Sequence, residues 1–250
     1  MSEDTNLFNE QVTEIGNKDS HLAIVNRSPL SLVFNEDCVA GMKRFSDGHF
    51  DLAIVDPPYG IDITKQGLGE GGGLYRAPKT YKRGEWDNQA PDQEYFKELF
   101  RISKNQIIWG ANHFIHKIPY NSSCWIIWDK NNGGSDFADA ELAWTSFGSP
   151  VRIFKYTWSG FIQGNMKDKE AKIHPTQKPV ALYEYLLANY TKDSQRIIDT
   201  HLGSGSSRIA CEKAGLDFVG FELDTDYFLA QEKRFKDHLV QGRLFGADFC

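Results

Sequence analysis

Apolar residues fall in two patterns along this chain. Short apolar runs closed by polar residues or glycine read as buried strands, and stretches with apolar residues three and four apart read as helices. Leu32-Val33-Phe34 reads as a short strand, followed by Asn35-Glu36-Asp37-Cys38 and a helix-like stretch through Arg44. Phe50 to Val55, with its unbroken run Leu52-Ala53-Ile54-Val55, predicts a buried strand. Asp92 to Ser103 has helical periodicity that puts Tyr95, Phe96, Leu99 and Ile102 on one face. Gln106 to Trp109, closed by Gly110, and Cys124 to Trp128 read as further strands. Residues 131–138 read as loop, 140–147 as a strand and 159–172 as irregular, while Val151 to Trp158 alternates weakly, as a strand would. Val180 to Tyr190 is helical, with Pro179 suited to its first turn. A tight unit closes the pattern: strand Arg196 to Asp199, a glycine turn, helix Ser206 to Ala214, strand Asp217 to Leu223.

The length of 250 residues fits one α/β domain with elaborations. No internal repeat or domain boundary stands out, so residues 21–250 are read as one domain and 1–20, polar and acidic, as a mobile leader. No apolar stretch is long enough to span a membrane. Cys38, Cys124, Cys211 and Cys250 are scattered, which argues against a zinc site or a disulfide framework and for a reduced, intracellular setting. The net charge of −6 counts against a uniformly basic nucleic-acid binder. A local basic stripe can still bind phosphates, and Arg76, Lys79, Lys82 and Arg83 are the candidate, inside a glycine-rich loop over 61–84. The alternative for these four is a solvated loop.

Asp56-Pro57-Pro58-Tyr59 follows the buried strand directly. The carboxyl ends of strands in an open α/β sheet are where ligands bind. Two prolines stiffen the exit and remove two backbone donors. This cluster suits methyl transfer to an exocyclic amino group, whose lone pair is delocalised into its ring. The Asp56 carboxylate and the Pro57 carbonyl are acceptors that could grip the two N–H bonds. That grip favours a pyramidal nitrogen with its lone pair aimed at the methyl. Acceptors held rigid in advance cost no reorganisation at the moment of reaction. Tyr59 offers a flat face for a base taken out of its helix.

A second motif, Asp199 through Ser207, joins a strand to a helix, with Gly203, Ser204 and Gly205 at the turn. Glycine there lets the backbone approach a ligand closely. Glu222, with Leu223 beside it, ends the next strand about twenty residues on, the spacing of a ribose-binding carboxylate. Position 208 is arginine where a dinucleotide fingerprint would have its third glycine. The pair therefore points to an adenosine-containing ligand without a pyrophosphate. A third segment, His174-Pro175-Thr176-Gln177-Lys178-Pro179, is pinned by two prolines just ahead of that unit.

Together, in this order, these motifs resemble the β class of the DNA amino-methyltransferases, which methylate adenine N6 or cytosine N4. The resemblance runs from about Phe34 to Phe228, and the stretch Asp199 to Ser207 looks most like stand-alone methylases of phages and prophages. It implies a Rossmann-like S-adenosylmethionine-dependent fold, a mostly parallel seven-stranded sheet flanked by helices, with circularly permuted motif order. It implies S-adenosyl-L-methionine as cofactor, DNA as substrate, no membrane, and a homodimer as one arrangement open to the chain, in the cytoplasm of a bacterium or phage-infected host. Carried over, Asp56, Pro57, Pro58 and Tyr59 form the catalytic turn, and Tyr59 shares its stacking role with a second aromatic. Asp199, Gly203, Ser204 and Gly205 cradle the methionine part of the cofactor, Glu222 with Leu223 holds the ribose, Thr176 and Lys178 lie beside the methionine carboxylate, and Asp37 with Cys38 lies near the adenine. His201 stands where relatives usually have a phenylalanine packed on the methionine. The region that usually houses target recognition, here about 131–172, is short. Asp at the first motif position favours adenine over cytosine. Asn is usual there, and the cofactor motif comes first, in similar enzymes acting on RNA or protein amides. An inactive partner subunit would typically lack one of the two main motifs.

Overall fold

The computed structural model describes residues 29–61, 90–132, 138–159, 162–167, 169–192 and 195–246. The leader and the basic residues Arg76, Lys79, Lys82 and Arg83 lie outside these. Strand β1 (Ser31–Phe34) leads through helix α1 (Cys38–Met42), capped by the Asp37 carboxylate on the Ala40 N–H, to β2 (Phe50–Val55). Helix α2 (Gln93–Ile102) starts at the cap Asp92 and runs straight into β3 (Ser103–Trp109). Two short 3-10 turns follow, Ala111–His113 and Ile115–Lys117, then β4 (Trp125–Asp129), β5 (Ala140–Thr145) and β6 (Arg152–Lys155). A small hairpin, β7 (Trp158–Ser159) with β8 (Ile162–Gln163), precedes α3 (Val180–Tyr190), β9 (Arg196–Asp199), α4 (Ser206–Lys213), β10 (Asp217–Phe221) and α5 (Thr225–Gly246).

Eight of these strands form one sheet in the order β1-β10-β9-β2-β3-β5-β4-β6. Every pairing is parallel except the two made by β5, so β5 alone runs against the rest. The sheet thus has eight strands rather than the seven expected, because Arg152–Lys155 adds an edge strand beside β4. Parallel strands are covered on both faces, and β2 shows why its run is continuously apolar. Phe50, Ala53 and Val55 pack with α1 and α2 on one face, while Leu52 and Ile54 pack with α3 and α4 on the other. Pro179 sits at the N-cap of α3 rather than inside its first turn. Part of the stretch 131–172 belongs to the central sheet as β5 and β6, leaving the hairpin and the residues after it outside. Among the described residues no helix is long and apolar enough to cross a membrane.

Chain direction across the sheet creates the site. From β9 the chain passes through α4 to β10 on one side, and from β2 it passes through α2 to β3 on the other. The boundary between β9 and β2 is therefore a topological switch point, where the loops leaving adjacent strands diverge and open a crevice at their carboxyl ends.

Candidate active site

Register sets the order of residues along that crevice. Ala53 pairs with Ile198, Gly220 with Asp199, and Phe34 with Phe221. Asp37, Glu222, the Asp199–Gly205 turn and the Asp56–Tyr59 turn therefore follow one another across the same edge of the sheet. At a strand spacing of about 4.8 Å the row from β1 to β2 spans roughly 14 Å.

At one end of the row Asp56 is half-buried and held from two sides. Its Oδ1 accepts the Tyr59 hydroxyl at 2.8 Å, and its Oδ2 accepts from the Lys178 ammonium. Lys178 is buried at 3% side-chain exposure and also donates to Glu141 Oε2 at 3.0 Å and to the Tyr59 hydroxyl at 3.2 Å. Three protons thus meet three acceptors. Glu141, on β5, is held at its other oxygen by Lys130 at 2.6 Å. Burial pushes the Asp56 carboxyl up against the pull of Lys178. Burial also acts upward on Glu141, but Lys178 and Lys130 outweigh it and bring it to about 2. Lys178 was expected beside a methionine carboxylate. In the structure its ammonium bonds Asp56 and Glu141.

Tyr59 was expected to offer a flat face to an extruded base. Its ring is stacked on the exposed His113 at 5.0 Å and 14°. Gly110, at φ +66°, allows the close approach of the same ring: a Cβ there would come within 1.9 Å of Tyr59 Cε1. Pro57 is buried and Pro58 half-buried.

Across the switch point, Asp199 is 1% exposed. Burial raises its carboxyl to about 7, although Ser207 Oγ donates to it at 2.6 Å and the His201 N–H at 3.0 Å. Burial holds His201 neutral, at about 4. Its Nδ1 lies 2.9 Å from Thr200 Oγ1, which lies 2.7 Å from the Tyr95 hydroxyl, and its Nε2 lies 4.0 Å from Cys38 Sγ. Burial pushes the Cys38 thiol up to about 12, so it stays protonated. Gly203 and Gly205 have φ of +51° and +71°, conformations that favour glycine. The Gly203 N–H donates to Glu222 Oε2 at 2.8 Å, and the Asp224 N–H to Oε1 at 2.9 Å. Ser204 is buried, and Leu223 is 70% exposed. Thr176 Oγ1 lies 3.1 Å from His174 Nδ1, and the His174 ring faces Gly203. Asp37 caps α1 at the far end of the row.

Residues 149–233 match a family model described as DNA methylase. That stretch holds the His174–Pro179 segment, the glycine turn and Glu222. Over most of its length the chain is 26% identical to the type II methyltransferase M.HinfI of Haemophilus influenzae, covering 83% of this chain and 69% of that protein. It is 23% identical to the type II methyltransferase M2.MboI of Moraxella bovis, covering 82% and 87%. This chain is a relative of the DNA methylases. Solved structures carry the fold further. The M1.HpyAVI–SAM complex superposes with a TM-score of 0.52 at 19% identity, covering 82% of this chain and 99% of that one. The cytosine-N4-specific PvuII DNA methyltransferase superposes at 0.54 with 12% identity, covering 84% and 89%.

Within this methylase relative, sequence motifs gathered the residues at the strand ends but missed those that hold them. Glu141 is one acid in a strand far from every motif. Tyr95 was read as a core position, and the helical spacing that buries it gave no sign of its hydroxyl on Thr200. His113 sits in a short 3-10 turn without a pattern. Arg208 fills the place of a third glycine by turning away from the crevice, against the Phe235 ring at 3.8 Å and Gln231 Oε1 at 3.1 Å.

Proposed function

We propose that this chain is a DNA methyltransferase that moves a methyl group from S-adenosylmethionine to the exocyclic N6 of adenine. The observation that carries the reading is adjacency: the Asp56 turn and the glycine turn leave neighbouring parallel strands at the switch point. An acceptor for an amino group and a cradle for an adenosine ligand thereby face one crevice.

The residues present fit the cofactor. Gly203 and Gly205 hold backbone shapes that bring main-chain atoms close to a ligand, and the atoms nearest a Cβ at Gly203 belong to the His174 ring at van der Waals distance. Glu222 has both oxygens fixed by backbone N–H groups and would turn its remaining acceptor capacity to a ribose diol. Asp199 and Ser204 would hold the methionine part together with Thr176, and Asp37 with Cys38 would flank the adenine. Neutral His201 would pack on the methionine. Bound S-adenosylmethionine would supply an electrophilic methyl on sulfonium.

The chain's own part is orientation and electrostatics. Asp56 and the Pro57 carbonyl accept the two amino N–H bonds, which turns the nitrogen lone pair toward the methyl. Tyr59 would stack on the extruded base through the face left by His113, or in place of that exposed ring. Arg76, Lys79, Lys82 and Arg83 would meet DNA phosphates, and the residues outside the sheet within 131–172 would face the target sequence, alone or in a homodimer. Such an enzyme works in the cytoplasm, where its DNA lies.

The test is to incubate the protein with unmethylated duplex DNA and isotopically labelled S-adenosylmethionine, digest to nucleosides and read them by mass spectrometry. Labelled N6-methyladenine is the expected product. N4-methylcytosine would keep every residue role and change the base. Absence of label in either, with cofactor binding verified by calorimetry, would overturn the reading.

A further inference from the structure

The buried ion network behind the crevice joins residues from four separate places. Asp56 and Tyr59 come from the turn after β2, Lys178 from the segment before α3, Glu141 from β5, and Lys130 from the end of β4. Its charges balance, two carboxylates against two ammoniums. The division within it matters more. Lys178 spends one proton on Asp56, one on Glu141 and one on the Tyr59 hydroxyl. A carboxylate that owned the whole ammonium would have little acceptor strength left for a weakly acidic amino N–H.

We propose that Glu141 is a positioning residue for Asp56: it shares Lys178, and so leaves Asp56 a strong, correctly aimed acceptor for the amino group of the substrate base. Lys130 sets the share, because it takes up part of the Glu141 charge from the opposite oxygen. The inference rests on the methyltransferase reading for its purpose, but the coupling can be measured without it. Other groups facing Asp56 are Asp199 on β9, Tyr95 on α2 and Tyr183 on α3, and His174 faces Lys178.

Two substitutions push the share in opposite directions. Glu141→Gln removes a negative neighbour and gives Lys178 to Asp56, so the Asp56 carboxyl should titrate lower. Lys130→Gln frees Glu141 to draw Lys178 away, so it should titrate higher. With carbonyl-labelled aspartate, the Asp56 signal is assigned by its loss in Asp56→Asn and followed by carbon NMR against pH. The expected midpoint moves down by about one unit in Glu141→Gln and up in Lys130→Gln. The acid limb of kcat should move with it, and Glu141→Gln should lower plateau kcat about tenfold while KM for S-adenosylmethionine stays within about twofold. Midpoints that stay put in both variants, or move the same way, overturn the inference. If Glu141→Gln does not fold, the direction of the Lys130→Gln shift decides. A wild-type protein that methylates no DNA base overturns the functional reading instead, and the carboxyl titration then decides the coupling alone.

Discussion

At Gly110 a backbone position and a side chain compete for one space. The residue has φ +66°, and any Cβ would overlap the Tyr59 ring, whose hydroxyl is bonded to Asp56. Gly110→Ala should therefore cost about 2–4 kcal/mol in chemical denaturation, the sum of a left-handed backbone and overpacking. It should also slow methyl transfer, because the ring cannot move without pulling on Asp56. Combining it with Tyr59→Ala should cost less than the two changes added together, and strict additivity would refute the clash. Asp56→Asn keeps shape and one acceptor oxygen but loses the charge. Its transfer rate should fall at least about a hundredfold, with cofactor affinity by calorimetry within a few-fold of wild type. Cofactor binding lost in a folded Asp56→Asn protein would remove Asp56 from the base side of the site. The residues at strand ends were legible because prolines and glycines punctuate them. Glu141 was not legible, since a single acid between Ala140 and Leu142 reads as the outward face of a strand, and its partner lies in another motif.

Elements buried on both faces were the easiest to read. The bounds of β2 and β9 are those expected from the sequence, and α2 shows all its predicted face buried. The edge was harder. In β6 Ile153 is 57% exposed, so alternation there carries little signal, and the run breaks where Tyr156 bonds back to Asp129 and Trp128. Helix α5 escaped notice because its inward stripe, Tyr227, Gln231 and Phe235, has a polar residue in the middle, while Leu229 and Val240 face outward. That helix nonetheless braces the glycine turn. Arg234 donates to the Ser204 carbonyl at 2.8 Å, to Ser206 Oγ at 2.9 Å and to Glu170 Oε2 at 2.6 Å, and Glu170 Oε1 accepts the Val180 N–H at the start of α3. One guanidinium thus ties α5, the turn and the approach to α3. Arg234→Leu strands a buried carboxylate and should destabilise the fold by about 3 kcal/mol. Arg234→Lys keeps the charge without the fork, so it should recover part of that loss but leave S-adenosylmethionine binding weakened. Full recovery of both by lysine would reduce the brace to charge alone.

Across the whole molecule, burial leaves several histidines neutral, and this sets the acid response of the fold. His49, His174 and His201 are each brought down from 6.5 to about 4, first by burial, with Arg196 adding to the effect at His49 and Lys178 at His174. A histidine whose folded value is depressed stabilises the fold above its unfolded value and loses that contribution as pH falls toward the folded one. Asp199 works the other way. Its carboxyl is raised from 3.8 to about 7, so its burial penalises the fold near neutrality and that penalty fades as pH falls. Burial raises the Asp56, Glu170 and Glu222 carboxyls as well, so four acids oppose the three histidines, and a single histidine's share is isolated by substitution. Arg196 donates to His49 Nε2 at 3.3 Å, which makes that nitrogen an acceptor and the ring neutral. His49→Gln keeps an acceptor but cannot gain a proton. As pH falls from about 6.5 to 4, the urea midpoint of His49→Gln should gain on that of the wild type. A difference between the two curves that stays constant across that interval would mean the His49 imidazole titrates as if exposed, and its packing against Phe45 and Phe50 would have to be redrawn.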